Sequence, residues 1–408
     1  MKLAARLDHI DPFYVMEFAK AAAELARGPA CDPARGGAPM IFLNIGEPDF
    51  TAPPLVQAAA RRAVDQGRSQ YTDATGLPAL RERIAAWYGE RHGLDVSPQR
   101  IVVTAGASAA LQLACLALVD RGDEVLLPDP SYPCNRHFVA AADGVPVLLP
   151  AGPRERFQLS ADGVAAAWGE RTRGVLLASP SNPTGTSIDP AEMGRIAEVV
   201  RARGGFTLVD EIYLGLSFDE RYGRSALAHG IGHGDDVISI NSFSKYFNMT
   251  GWRLGWLVLP AALVPAVEKL AQNLFICPST LAQHAALACF EAESIATYEE
   301  RRAEFRARRD FLVPALESLG LPVPVMPDGA FYAWADCSRF VADTRDPARG
   351  GSWQFADELM RRAHVAVTPG RDFGRADTAR YVRFSYASSM AQLTDAVRRL
   401  GEVLPAMA

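Results

Sequence analysis

Between about residues 100 and 260, short apolar runs that end in turn residues alternate with longer amphipathic stretches. This alternation is the signature of βαβ units. The predicted strands are "IVVT" (101–104), "EVLLP" (124–128), "VPVLL" (145–149), "GVLLAS" (174–179), "FTLVD" (206–210), "VISIN" (237–241) and "LGWLVL" (254–259). Several are continuous aliphatic runs, as strands covered on both faces should be. Between two of them, "DPAEMGRIAEVVRARGG" predicts a crossover helix. Asp189 stands as its N-cap, Pro190 at its first position and Glu192 where a capping box needs it, with Gly204 and Gly205 closing it.

After Pro278 the pattern turns to long helices and then to short mixed elements: "AFYAWAD" (330–336), "VAVTPG" (365–370) and "YVRFSYA" (381–387). The expected fold is α/β: a large domain over 48–290 with a mostly parallel seven-stranded sheet flanked by helices, and a smaller α+β domain made from 1–47 and 291–408. No repeat or low-complexity tract interrupts the chain, and "RGPACDPARGGAP" (27–39) is the expected flexible loop.

Composition narrows the classes. With 408 residues, 49% hydrophobic and 22% charged, the chain can build a large core. A net charge of −5 and a pI near 5.9 give no footprint for nucleic acid or an anionic membrane. The densest basic stretch, "YEERRAEFRARRDF" (298–311), interleaves acids with its five arginines and reads as a solvated helix face. Six cysteines lie far apart, as reduced thiols would, and no metal site is expected. The N-terminus has no secretory apolar core and no run approaches the roughly 20 apolar residues of a membrane span, so a cytoplasmic protein is expected.

Chemistry is sought at the carboxyl ends of the strands, where open parallel sheets collect ligands. After "IVVT", Gly106, Ala107 and Ser108 turn into a helix whose free N–H groups suit a phosphate, although such a start also serves mere packing. After "EVLLP", Tyr132 could stack on a planar ring or pack on the surface. Two prolines stiffen the turn "PSNPTG" around Asn182, which is either only a turn or a rigid ligand donor. Asp210 ends "FTLVD" as a carboxylate that needs a cation or N–H donors, with Glu211 and Tyr213 following. Then comes "SFSKYFNMTGWRLGW" (242–256), with Ser242, Lys245 and Arg253; no acidic side chain occurs from Val237 to Pro260 to neutralise the two cations.

One ligand explains the set: a planar heterocycle with a protonatable nitrogen, an aldehyde for the lysine and a phosphate for the arginine. That ligand is pyridoxal 5′-phosphate.

These blocks, with "NIGEPDF" (44–50), "YTDATGLPALR" (71–81), "DEIY" and "YVRFSYA", resemble the fold-type I, class I/II aminotransferases of the aspartate aminotransferase superfamily. The resemblance covers essentially the whole chain, with the motifs in family order. It implies that Lys245 is the Schiff-base lysine and proton shuttle, that Asp210 pairs with the pyridinium nitrogen, and that Tyr213 and Asn182 bond the phenolic oxygen. It implies Tyr132 on the ring and Ala107, Ser108, Ser242 and Arg253 on the phosphate, joined by Tyr71 from a second subunit of a homodimer. Arg383, otherwise readable as a surface charge, becomes the clamp for the substrate α-carboxylate, assisted by Asn182 and the Gly46 backbone. Gly46 could equally be only a turn glycine.

The implied reaction is ping-pong transamination from an amino acid to a 2-oxo acid, with 2-oxoglutarate or pyruvate as the usual acceptors. Some aspartate-using relatives place a lysine where this chain has Ala107, which argues against strong aspartate selectivity. Phe13, Tyr14, Val15 or Met16 is expected in the pocket wall, favouring an apolar or aromatic donor. The alternatives are an aspartate aminotransferase, or a lyase performing β-elimination or cyclopropane formation on the same scaffold. An effector-binding half of a transcription regulator would need a basic DNA-binding domain ahead of it, and residues 1–40 are too few. A relative without catalysis would lack Lys245, Asp210 or Arg383, and all three are present.

Overall fold

A computed structural model describes residues 2–230, 232, 235–341 and 351–407. Residues 342–350, assigned above to the smaller domain, lie outside the described residues. In chain order the strands are β1 (Ile41–Phe42), β2 (Ile101–Thr104), β3 (Glu124–Asp129), β4 (Val145–Pro150), β5 (Thr172–Ala178), β6 (Phe206–Asp210), β7 (Val237–Ser242), β8 (Gly255–Val258), β9 (Tyr332–Asp336), β10 (Val365–Ala366), β11 (Thr368–Pro369) and β12 (Tyr381–Ser385).

Seven of them form one sheet in the order β2-β8-β7-β6-β5-β3-β4. Six run parallel, while β8 lies antiparallel between β2 and β7. The aliphatic runs of β2, β6 and β7 are buried because helices cover both faces, whereas β4 is an edge and stays half exposed. A three-stranded antiparallel sheet, β11-β12-β9, and a parallel pair, β1-β10, make the smaller part. Through β1 and β10 the two ends of the chain meet, with Ile41 opposite Val365.

Local signals hold where the chain supplies its own partners. The crossover helix runs Pro190–Ala202, the Asp189 carboxylate accepts from Ala191 N, and Gly204 follows at φ +67°. Its capping box, however, does not form. Glu192 accepts from Ala161 N at 2.7 Å and from Arg195, so a neighbouring segment takes the carboxylate the helix start would have used.

Residues 27–39 form a loop without regular strand or α-helix, with short turns at Pro29–Cys31 and Pro33–Arg35, Cys31 buried and Asp32 accepting from Ala34 N. One other expectation is corrected: the basic stretch 298–311 is not only a solvated face. It lies in the helix Ala292–Ser318, where Tyr298 and Phe305 are core residues and Arg308 is buried between Asp49 (2.8 Å) and Glu304 (3.0 Å). Among the described residues no helix is long and apolar enough to cross a membrane.

Candidate active site

The carboxyl ends of the parallel strands open into a cavity of about 450 Å³, lined by residues from both sheets and from the N-terminal helix, Tyr14–Ala26. Asp210, the last residue of β6, stands in register between Ala178 of β5 and Ile240 of β7, so it sits at the middle of the sheet edge. Its side chain is buried and one oxygen accepts from Ile212 N at 3.1 Å. Burial raises its pKa to about 7; the Ile212 N–H opposes this, the Glu211 charge adds to it and Lys245 opposes it. Glu211 itself turns away from the cavity and is held by Ser225, Ala226 N and Ser239.

Lys245 follows β7 on a turn, and its Nζ donates to the Gly46 carbonyl at 2.6 Å. Burial lowers its pKa to about 8; Glu47 and Asp210 resist, while the positive charges of Arg383 and Arg253 assist. Gly46 is more than a turn residue, because a Cβ there would stand 2.7 Å from the Tyr332 hydroxyl.

At one end of the cavity the helix Ala107–Leu118 begins after Gly106, at φ +85°, with no side chain capping its free N–H groups. Arg253 lies against this turn: its Nη2 would be 2.6 Å from a Cβ on Gly106. Gly255 of β8 has no room for a Cβ either, since Ala107 N would be 2.8 Å away, and this close approach brings the turn and Arg253 together. Ser242 and Ser108 line the same end. Arg253 is exposed to solvent, whereas Lys245 is half-buried.

At the other end the side chains are buried. Arg383, in the middle of β12, is 2% exposed and so not a surface charge. It donates to Asn182 Oδ1 (2.8 Å), Asn44 O (2.8 Å) and Thr368 Oγ1 (3.2 Å), all neutral, and its Nε has no partner among the described residues. The guanidinium stacks 4.4 Å from the Tyr332 ring centroid. Tyr213 and Tyr332 share a hydrogen bond of 2.8 Å between their hydroxyls. Desolvation pushes the Tyr213 phenol well above its usual range.

Tyr132 lines the cavity and meets Phe13 edge-on at 6.2 Å. Phe13, Val15 and Met16 form part of the wall, but Tyr14 faces away and packs on Trp353. Tyr71 is outside the cavity of its own chain and 83% exposed.

Sequence reasoning missed Tyr332, Asn44, Ser244 and Thr250, all of which line the cavity. A phenol in the apolar strand "AFYAWAD" was a usable signal, since a buried Tyr hydroxyl needs a partner. Asn44 is 1% exposed with both side-chain polar atoms unpartnered among the described residues; as part of "NIGEPDF" it carried no separate signal.

A family model described as aminotransferase class I and II matches residues 38–400. A valine–pyruvate aminotransferase of Mycobacterium tuberculosis is 38% identical over 396 residues, 97% of each chain. The crystal structure of an aminotransferase from Mycobacterium tuberculosis superposes with a TM-score of 0.90 at 38% identity, covering 100% of both chains. The aspartate aminotransferase of Thermus thermophilus, solved with maleate, gives a TM-score of 0.88 at 32% identity over 99% of this chain and 100% of its own.

Proposed function

The chain belongs to the class I and II aminotransferases of the fold-type I aspartate aminotransferase superfamily, and from that premise we propose that it moves the α-amino group of a neutral, apolar or aromatic amino acid to a 2-oxo acid in two half-reactions through Lys245. Family and fold imply pyridoxal 5′-phosphate as cofactor, and the residues present fit it. Gly106 and Gly255 leave a cradle that a Cβ would fill, and the Asn44 amide is a buried, unpartnered polar group on the cavity wall. The donor set matches as well: an open helix start and Arg253 for a phosphate, Asp210 for a cationic ring nitrogen, an amine for an aldehyde.

When bound, the cofactor supplies an electron sink for charge developing at the substrate α-carbon. Ala107, Ser108, Ser242 and Arg253 would hold its phosphate, Asp210 its ring nitrogen, Tyr213 and Asn182 its phenolic oxygen, and Tyr132 its ring face. The exposed Tyr71 would reach the phosphate of a second copy in a homodimer. Lys245 would be the cofactor's covalent attachment point and, when its amine is free, the base that moves the substrate α-proton. Its pKa near 8 leaves a useful share as free base around neutral pH.

Arg383 carries the reading. A buried guanidinium with only neutral acceptors lacks a compensating charge, and a substrate carboxylate in the same cavity as Lys245 would supply one through two parallel hydrogen bonds. The cations lining the cavity are Lys245, Arg253 and Arg383, so among the described residues this chain offers no further one for a second carboxylate. The wall of Phe13, Val15 and Met16 supports an apolar side chain instead. The name of the Mycobacterium relative, with valine and pyruvate in it, points the same way.

The test is spectroscopic. Protein loaded with pyridoxal 5′-phosphate should absorb in the visible, and borohydride should fix the pyridoxyl group on Lys245, located by peptide mass spectrometry. Valine, leucine and phenylalanine should bleach the band faster than aspartate. Colourless protein ends the reading, and a preference for aspartate overturns the donor assignment.

A further inference from the structure

The N-terminal helix starts without a cap of its own. Phe13 occupies the N-cap position and offers no hydrogen bond, although an uncapped first turn leaves backbone donors unsatisfied. Val15 N is nevertheless bonded, at 2.6 Å, to Asp372 Oδ2, 357 positions along the chain. Asp372 is 1% exposed, and its other oxygen has no partner among the described residues.

Burying a carboxylate is a costly way to cap a helix when a serine at position 13 would do the same locally. Position 13 is taken, however, because Phe13 lines the cavity and touches the Tyr132 ring. The cap therefore has to come from elsewhere.

The turn Gly370–Phe373 that carries Asp372 also grips its surroundings through four further contacts. Arg371 lies 4.0 Å over the Tyr14 ring, on the helix start. Arg136 donates to Asp372 O at 3.0 Å, and Ser131 N, next to Tyr132, donates to Phe373 O at 2.8 Å. The Phe373 ring stands 5.1 Å from the Arg383 guanidinium. One turn thus spans the start of the helix, the segment of Tyr132 and the carboxylate clamp.

We propose that Asp372 is a positioning residue for donor selectivity: by capping the N-terminal helix from the far end of the chain, it holds the Phe13–Val15–Met16 wall at a fixed distance from Arg383. The inference rests on the reading of that wall as the donor side-chain pocket.

Asp372→Ala and Asp372→Asn in the full-length, cofactor-loaded protein test it with two readouts. In Asp372→Ala, hydrogen exchange of a peptide covering the first turn of the helix should speed up about five- to tenfold, as loss of a cap requires. KM for leucine and phenylalanine should rise about tenfold, while kcat/KM for alanine, whose side chain is too short to use the wall, changes less than about twofold. Asp372→Asn keeps an acceptor for Val15 N and should recover most of both effects; if the alanine variant does not fold, a two- to threefold rise in exchange for Asp372→Asn carries the test. Unchanged exchange overturns the proposal whatever the wall does. Faster exchange with unchanged donor selectivity also overturns it, and locates the failure in the reading of the wall rather than in the cap.

Discussion

The two ends of the cavity are built in opposite ways. The end with Gly106, Ser242 and Arg253 is assembled from short local turns at neighbouring strand ends, its arginine exposed and its helix start open. The end with Arg383 is buried and assembled from Asn44, Asn182, Thr368 and Tyr332, which lie far apart in sequence. Lys245 lines the same cavity, and the charges of Arg383 and Arg253 both act on its amine. On the proposed reading the open end would take the cofactor's phosphate, at the uncapped helix start and Arg253. On the same reading the buried end would take the substrate carboxylate, because a guanidinium already desolvated and aimed costs little to reorganise.

The largest effect is expected where the ends meet. If Lys245 is both attachment point and proton carrier, as proposed, Lys245→Ala should lower turnover by about 10²- to 10⁴-fold. Pyridoxal 5′-phosphate should still bind to this variant but dialyse away, because the open end is untouched. Equilibrium dialysis and steady-state kinetics check the two parts. Turnover within tenfold of the parent would contradict the role of Lys245.

A matched pair then separates the ends. Arg383→Lys keeps the charge but loses the planar fork, and should raise KM for every donor about 10- to 100-fold, leaving cofactor affinity unchanged. Gly106→Ala should do the reverse, because its φ of +85° disfavours any side chain and a Cβ there would push the Arg253 guanidinium aside. Cofactor affinity should fall about tenfold, with donor KM restored once the cofactor saturates. If either substitution moved both quantities together, the ends would not be separable.

How much of this was legible in the sequence follows from the same contrast. Continuous aliphatic runs located all seven strands of the main sheet to within a few residues, since burial on both faces leaves no other composition. Asp210 and Lys245 stood out because each is charged at the end of an apolar strand. The turn Gly106–Ser108 was visible as small residues directly after the apolar run "IVVT". Contacts between distant segments left no trace in periodicity: Glu192 binding Ala161 instead of its own helix start, Arg308 buried against Asp49, and Tyr332 bonded to Tyr213 each depend on a partner that the local pattern does not name. The antiparallel course of β8 is of this kind too, as its residues read like those of its parallel neighbours.

The smallest expected effect asks whether the ends communicate through Lys245. In cofactor-free protein, labelling of Lys245 by an amine-reactive reagent should rise with pH through a midpoint near 8, because only the neutral amine reacts and burial holds its pKa at about 8. Arg383 and Arg253 both repel the protonated amine, so removing either charge favours protonation and must raise the midpoint. Arg383→Gln should raise it more than Arg253→Gln, since the buried guanidinium is screened less by water than the exposed one. Added salt should shrink the Arg253→Gln shift and leave most of the Arg383→Gln shift in place. A midpoint near 10.5 in the parent protein would mean that neither burial nor the arginines act on this lysine. Equal, salt-sensitive shifts in the two variants would mean instead that the buried end is as wet as the open one.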